Sequence, residues 1–157
     1  TIHVDLAEEL FNDPTQPGGV MKTVGDAPAL RSALQNLISN AIKYGGDSRW
    51  IRVSAEPAGR RGVRITVEDR GFGISADDRK HVFEPFYRGR YATERQIHGN
   101  GLGLSLVKRI AEAHGGRVTV KSAPGAGTSF TIHLPAAPAD TVVQPLEPAA
   151  DPGGPGA

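Results

Sequence analysis

The chain has 157 residues, room for one domain with its own core and hardly for two. Its 18 basic and 17 acidic side chains leave a net charge of +1, so charge balance gives no sign of a nucleic-acid partner. The absence of cysteine excludes disulfides, thiolate chemistry and cysteine zinc sites. No apolar run approaches the ~20 residues that cross a bilayer, no signal peptide opens the chain, and the five histidines lack metal-binding spacing. The charge is uneven. From Pro135 onward three acids (Asp140, Glu147 and Asp151) stand without Lys or Arg, leaving 18 cations against 14 acids in residues 1–134. A mildly basic domain suits an anionic ligand without specifying it.

In chain order, Thr1–Leu6 alternates weakly as a strand, Asn12–Gly19 is turn-rich, and Val20–Gly25 reads as a second short strand. Asp26 then has the chemistry of an N-cap, with Pro28 in the first turn. Leu30, Ala33, Leu34, Leu37, Ile38, Ala41 and Ile42 follow a helical period, which Gly45-Gly46 ends. Residues 50–55 and 63–67 alternate on either side of a Gly59–Gly62 turn, the pattern of a hairpin. Ser75 with Asp78 resembles a capping box for a short helix ending near Phe83. Glu84–Asn100 has no steady period, and loops of that length tend to be functional or mobile. A second helix is expected from about Leu102 to His114. Strands at Arg117–Ser122 and Thr128–Leu134 follow it, joined through Pro124–Gly127. Beyond Leu134 the chain is rich in Pro, Ala and Gly with little to bury, so residues 135–157 are expected to be a disordered tail. Tight connections between neighbouring strands favour an α+β fold: a two-layer sandwich with a mixed, mostly antiparallel sheet and helices on one face.

Four stretches have chemistry to offer. Asn36, Asn40 and Lys43, at i, i+4 and i+7, form a polar stripe beside the apolar face of the first helix. Such a trio is either a solvated surface or a ligand-facing row, in which an amide oxygen suits Mg²⁺ already bound to phosphate and Lys43 offers a cation. Asp69-Arg-Gly71-Phe-Gly73 is either an Asx-capped turn or a carboxylate accepting from an exocyclic amine, with glycines that admit a base. His98-Gly99-Asn100-Gly101-Leu102-Gly103-Leu104 opens a helix with alternating glycines, which suits a loop folding over phosphates. It is neither a P-loop nor a good dinucleotide fingerprint. Gly125-Ala-Gly127-Thr128 by itself is as readily a plain hairpin turn.

Together, and in this order, these stretches resemble the nucleotide-binding boxes of the GHKL ATPase/kinase superfamily, most closely the histidine kinases. The matching residues are Asn36–Tyr44, Asp69–Ile74, Phe83–Gly89, Gly99–Leu104 and Gly127-Thr128, and the likeness spans about residues 20–134. The resemblance implies ATP and Mg²⁺ as cofactors. Asn40 would coordinate Mg²⁺, with Asn36 helping directly or through water. Lys43 and Arg88 would meet phosphates and Tyr44 would flank the nucleotide. Asp69 would bond the adenine amine with support from Thr128. Ile74 and Phe86 would line the base pocket or anchor a lid formed by Glu84–Asn100. Gly99, Asn100, Gly101, Leu102, Gly103 and Leu104 would lie at the phosphates.

Within the superfamily, the ATPase branches and certain serine kinases resemble one another in having Glu four residues before the metal Asn. Here that position is Asn36, whose amide is no base near neutral pH. An imidazole acceptor needs less help, being nucleophilic near its pKa of ~6.5. The resemblance therefore implies transfer of the γ-phosphate to a histidine on a separate dimerisation domain, and through the full-length kinase to a response regulator. The alternatives are an ATPase or serine kinase of the same superfamily, or a non-enzymatic ATP-sensing module. His3, His81, His98, His114 and His133 are not followed by the acid usual after an acceptor histidine, and His98 reads as a lid residue. The chain is thus expected to be the C-terminal catalytic part of a longer kinase. As an isolated domain it would be monomeric and cytoplasmic, with any membrane anchor elsewhere in the parent.

Overall fold

The computed structural model describes residues 25–136, apart from 60, 61 and 95. The strands expected at Thr1–Leu6 and Val20–Gly25 lie outside the described residues, Gly25 excepted, as does the tail beyond residue 136. Helix α1 runs Ala27–Tyr44. Asp26 caps it, accepting from the Ala29 N–H at 3.1 Å, as its sequence position predicts. Ala33, Leu37 and Ala41 are buried along one line of the helix. Ile42, expected to continue the apolar stripe, is 60% exposed: it lies about 100° around the helix from Ala41, past the edge of the buried face.

A short 3₁₀ turn at Gly46–Ser48 leads into β1 (Ile51–Pro57), which pairs antiparallel with β2 (Gly62–Asp69) as the hairpin pattern predicts. Helix α2 covers only Ala76–Arg79, shorter than expected. Beyond it the backbone tightens to three-residue bonds, Lys80 N–H to Asp77 and His81 N–H to Asp78, and Pro85 bars any helical continuation. The capping box itself forms, with Ser75 Oγ accepting from the Asp78 N–H at 3.1 Å. Within the stretch read as an aperiodic loop lies a five-residue helix, α3 (Arg90–Glu94). Helix α4 (Gly103–Ala113) and strands β3 (Arg117–Ser122) and β4 (Thr128–Pro135) complete the described fold.

The four strands stand in the order β1-β2-β4-β3, and every pairing among the described residues is antiparallel. Alternation along β2 and β4 puts Val63, Val67, Phe130, Ile132 and Leu134 on the face covered by α1 and α4. Leu37 and Val107, one from each helix, are fully buried against that face, each contributing about 1.5–3 kcal/mol by leaving water. The result is the expected two-layer α+β sandwich. His114 fastens its two helices. Its Nε2 accepts from the Asp26 N–H at 2.9 Å, so Nδ1 carries the proton and donates it to the Ile110 carbonyl at 2.7 Å.

Register fixes where chemistry can occur. Asp69, the last residue of β2, pairs with Thr128, the first of β4, and Ser122, the last of β3, pairs with Thr128. Three strand ends therefore converge at one end of the sheet, beneath the polar side of α1.

Candidate functional site

At that end lies a cleft of about 200 Å³. One wall is α1, through Asn36, Asn40, Lys43 and Tyr44. The floor is Asp69, Gly73, Ile74 and Thr128, and the far side is the 84–100 segment with the start of α4.

Asp69 is 8% exposed. Burial raises its carboxyl above the ordinary value of 3.8, while N–H bonds from Gly71 (2.8 Å) and Thr128 draw it partly back. Each of its two oxygens can accept more than one bond, so it keeps acceptor capacity facing the cleft. Thr128 is held by Ser122, whose Oγ lies 2.9 Å from Thr128 Oγ1, donates to the Gly127 carbonyl at 2.7 Å and accepts from the Ile74 N–H at 2.8 Å. This small network sets the floor: a buried carboxylate, a hydroxyl and an apolar Ile74 side by side.

Gly71 stands behind the floor rather than in it. A Cβ there would fall onto the Tyr44 carbonyl oxygen, so the absent side chain lets the end of α1 close onto the loop, where the Phe72 N–H donates to that carbonyl at 3.2 Å.

At the opposite end, the Asn36 Nδ2 donates back to the Ser32 carbonyl at 2.9 Å, which leaves Oδ1 as the free end of the amide. A Cβ on Gly103 would sit 2.9 Å from that oxygen, so the first turn of α4 lies directly against Asn36. Helix α4 has no side-chain cap: the residue before it is Leu102, and Asn100 Oδ1 accepts from the Leu102 N–H at 3.2 Å instead. Its leading N–H groups thus open toward the amide row, an arrangement that attracts anions.

The far wall is tied down by two polar side chains. Arg88 donates to the carbonyls of Ile97 (2.7 Å) and Ala92 (3.4 Å). Asp78, 7% exposed, accepts from Tyr87 Oη at 2.7 Å and from Ser75 Oγ at 2.9 Å. The Tyr87 hydroxyl holds its carboxyl below 3.8 despite burial, helped by Ser75, the Arg90 N–H and the Arg90 charge. The same bond, with burial and the Asp78 charge, raises the Tyr87 phenol above 10.0.

Three comparisons bear on this arrangement. Residues 25–138 match the family described as Histidine kinase-, DNA gyrase B-, and HSP90-like ATPase. The chain belongs to that family. Among its curated relatives, the Sensor-like histidine kinase SenX3 of Mycobacterium bovis is 43% identical over 116 residues, covering 74% of this chain and 28% of SenX3. Among solved structures, the mycobacterial sensor histidine kinase MprB superposes with a TM-score of 0.72 at 28% identity, covering 87% of this chain and 84% of that one. Full-length ShkA in complex with AMPPNP superposes with a TM-score of 0.70 at 30% identity, covering 92% of this chain and 27% of that one. The chain spans about a quarter of the length of the curated relatives it matches.

In this member of the histidine kinase-like ATPase family, fifteen of the residues singled out in the sequence as candidates for the site or its lid line the same cleft: Asn36, Asn40, Lys43, Tyr44, Asp69, Gly73, Ile74, Arg88, His98, Gly99, Asn100, Gly101, Gly103, Leu104 and Thr128. Three do not. Gly71 packs under Tyr44, Leu102 precedes α4 and is 36% exposed, and Phe86 is 72% exposed. Phe86 instead uses its backbone, donating to the Gly101 carbonyl at 3.0 Å and so joining the two ends of the 87–100 segment. Sequence reasoning missed Ser122, Asp78, Tyr87, Phe72 and Tyr91. Asp78 had a signal as a capping residue, and Phe72 and Tyr87 lay inside the matched stretches Asp69–Ile74 and Phe83–Gly89 without a role of their own.

Among the described residues no three His, Cys, Asp or Glu side chains cluster to hold a metal ion. The cleft does hold the amide side chains of Asn36 and Asn40, whose oxygens are neutral hard donors of the kind Mg²⁺ accepts beside phosphate and water. No helix among the described residues is long and apolar enough to cross a membrane.

Proposed function

We propose that this chain is the ATP-binding catalytic domain of a sensor histidine kinase, which binds Mg-ATP and offers its γ-phosphate to a histidine on a separate dimerisation domain. The reading is carried by one observation: the amides of α1, the buried carboxylate of Asp69 and the glycine-rich start of α4 share one cleft. The AMPPNP held by ShkA, a relative in fold and sequence, supports the same ligand class.

In this reading Asp69 accepts the adenine amine, with Thr128 beside it and Ile74 against the base. Tyr44 flanks the nucleotide, Lys43 neutralises phosphate charge, and the Gly99–Leu104 segment with the first turn of α4 donates N–H groups to phosphate oxygens. Asn40, assisted by Asn36, would hold Mg²⁺, which supplies charge neutralisation on the phosphates when bound. Arg88 serves phosphate only by releasing at least part of its hold on the Ile97 and Ala92 carbonyls.

Neither carboxylate lining the cleft is placed to activate water, and the His98 imidazole that also lines it lies on the lid beside the glycine segment. The Asn36 amide accepts protons only in strong acid, Asp69 sits at the base end, and Asp78 is consumed by Tyr87, Ser75 and the Arg90 N–H. The chain's own contribution is then orientation and charge, which suits an imidazole acceptor better than water. A cognate response regulator and a cytoplasmic setting belong to the same proposal.

The test is to incubate the chain and a separately supplied dimerisation domain with γ-labelled ATP. Label is expected on the acceptor histidine, with little free phosphate released by the chain alone. Rapid hydrolysis without acceptor would reverse the choice made at Asn36.

A further inference from the structure

Helix α3 has five residues, too few to be stable on its own in water, so its position over the cleft depends on what it touches. From below, Arg88 holds the Ala92 and Ile97 carbonyls and Asp78 meets the Arg90 N–H. Across the cleft, a different contact reaches the opposite wall. The Tyr91 ring stacks on Phe72 with centroids 4.3 Å apart and planes 28° from parallel. Both rings line the cleft.

The two partners differ in how firmly they are seated. Phe72 is fixed at both backbone ends: its N–H donates to the Tyr44 carbonyl at 3.2 Å and its carbonyl accepts from Gly125 at 2.7 Å. It follows Gly71, which is buried against α1, and its ring lies beside Gly46. Yet the residue remains 38% exposed. It is a rigid aromatic surface presented to the cleft mouth. Tyr91 rides on the short helix, which Arg88 and Asp78 hold from below. The stack lies at the Asp69 and Tyr44 end of the cleft, since Phe72 is three residues from one and its N–H is bonded to the other.

We infer that Phe72 and Tyr91 form an aromatic latch over the base end of the cleft, which positions α3 and sets how long a bound nucleotide stays. The inference rests on the ATP-binding reading. These are positioning residues: they close the wall that Asp69 and Ile74 face, and leave the phosphate end untouched. Opening the latch separates two stacked rings, so the stack slows release, and entry past the stacked rings needs the same opening. An aromatic pair of this geometry supports a change of about fivefold in release rate.

The test measures association and dissociation of a fluorescent ATP analogue with the full chain by stopped flow. Tyr91→Ala and Phe72→Ala should each speed dissociation about fivefold, with association no slower than in wild type. Tyr91→Phe, which keeps the ring, should release the analogue more slowly than Tyr91→Ala. The double alanine variant should release no faster than either single, because both remove one contact. Circular dichroism melts confirm that each variant is folded. Release within twofold of wild type for folded Tyr91→Ala, or additive effects in the double variant, would overturn the latch. A wild-type chain that binds no nucleotide would instead overturn the ATP reading beneath it.

Discussion

Replacing Gly71 with Ala separates two roles that a glycine beside a nucleotide cleft can play. If Gly71 admits the base, Ala there weakens binding and leaves the unliganded protein intact. The structure places the crowding on the other side. An added Cβ meets the Tyr44 carbonyl and the Gly45 backbone, neither of which can swing aside like a side chain. Overpacking of this kind costs about 1–3 kcal/mol. Moving the loop off α1 also weakens the Phe72 N–H bond to Tyr44, worth about 0.5–1.5 kcal/mol. Together these give a loss of about 2–4 kcal/mol, a fall in melting temperature of about 10–20 °C for a domain of this size. Thermal unfolding followed by circular dichroism, without nucleotide, reads it directly. A Gly71→Ala melting temperature within about 2 °C of wild type would refute the packing argument, because strain of this size cannot hide on that scale.

Two further outcomes follow from the titrating groups. Tyr87 should ionise above pH 10.0 while Asp78 is charged. Its stabilising bond is present between the ordinary carboxylate and phenol ranges, lost in acid as pH falls through the lowered Asp78 value, and lost in alkali as pH rises through the raised Tyr87 value. Ultraviolet titration of the phenols in wild type and Asp78→Asn checks this: one tyrosine should return toward 10.0 in the variant, and unchanged curves would dismiss the bond. His133 is lowered below 6.5 by burial first, then by the charges of Arg117 and Arg64. Its neutral form suits the fold, so stability is full above pH 6.5 and declines as pH drops through the folded value. His133→Gln should flatten the denaturation midpoint between pH 7 and pH 5, and an equal slope in both proteins would count against it.

Much of the fold was legible because its signals are local. Asp26 before a 3.6-residue period, Gly45-Gly46 after it, and alternating runs around Gly59–Gly62 and Pro124–Gly127 each follow from short-range sterics and hydrogen bonding. What sequence could not show was anything decided between segments. Helix α3 has no periodicity to read in five residues, and Arg88 and Asp78, from outside it, hold it in place. Ile42 belongs to the apolar period but overshoots the packed face by one step around the helix. Phe86 carries an aromatic ring that the cleft does not use, because its backbone, at φ 63°, serves to clasp Gly101. Ser122 supports the cleft floor through a register that brings three strand ends together, a fact of the sheet and not of any motif. Conversely, the spacing of Asn36, Asn40 and Lys43 was readable, since one helix face carries all three.

The most direct measurement is calorimetric titration of Mg-ATP into the wild-type chain and into Asp69→Asn. The variant exchanges a carboxylate for an amide of the same shape, which cannot accept from Gly71, Thr128 and an adenine amine as freely. Saturable binding by wild type and affinity at least about tenfold weaker in the variant is the expected result, the loss of one hydrogen bond to a charged group. Equal affinity in the two proteins, or no binding by wild type at millimolar ATP, would contradict the assignment of this cleft to a purine nucleotide.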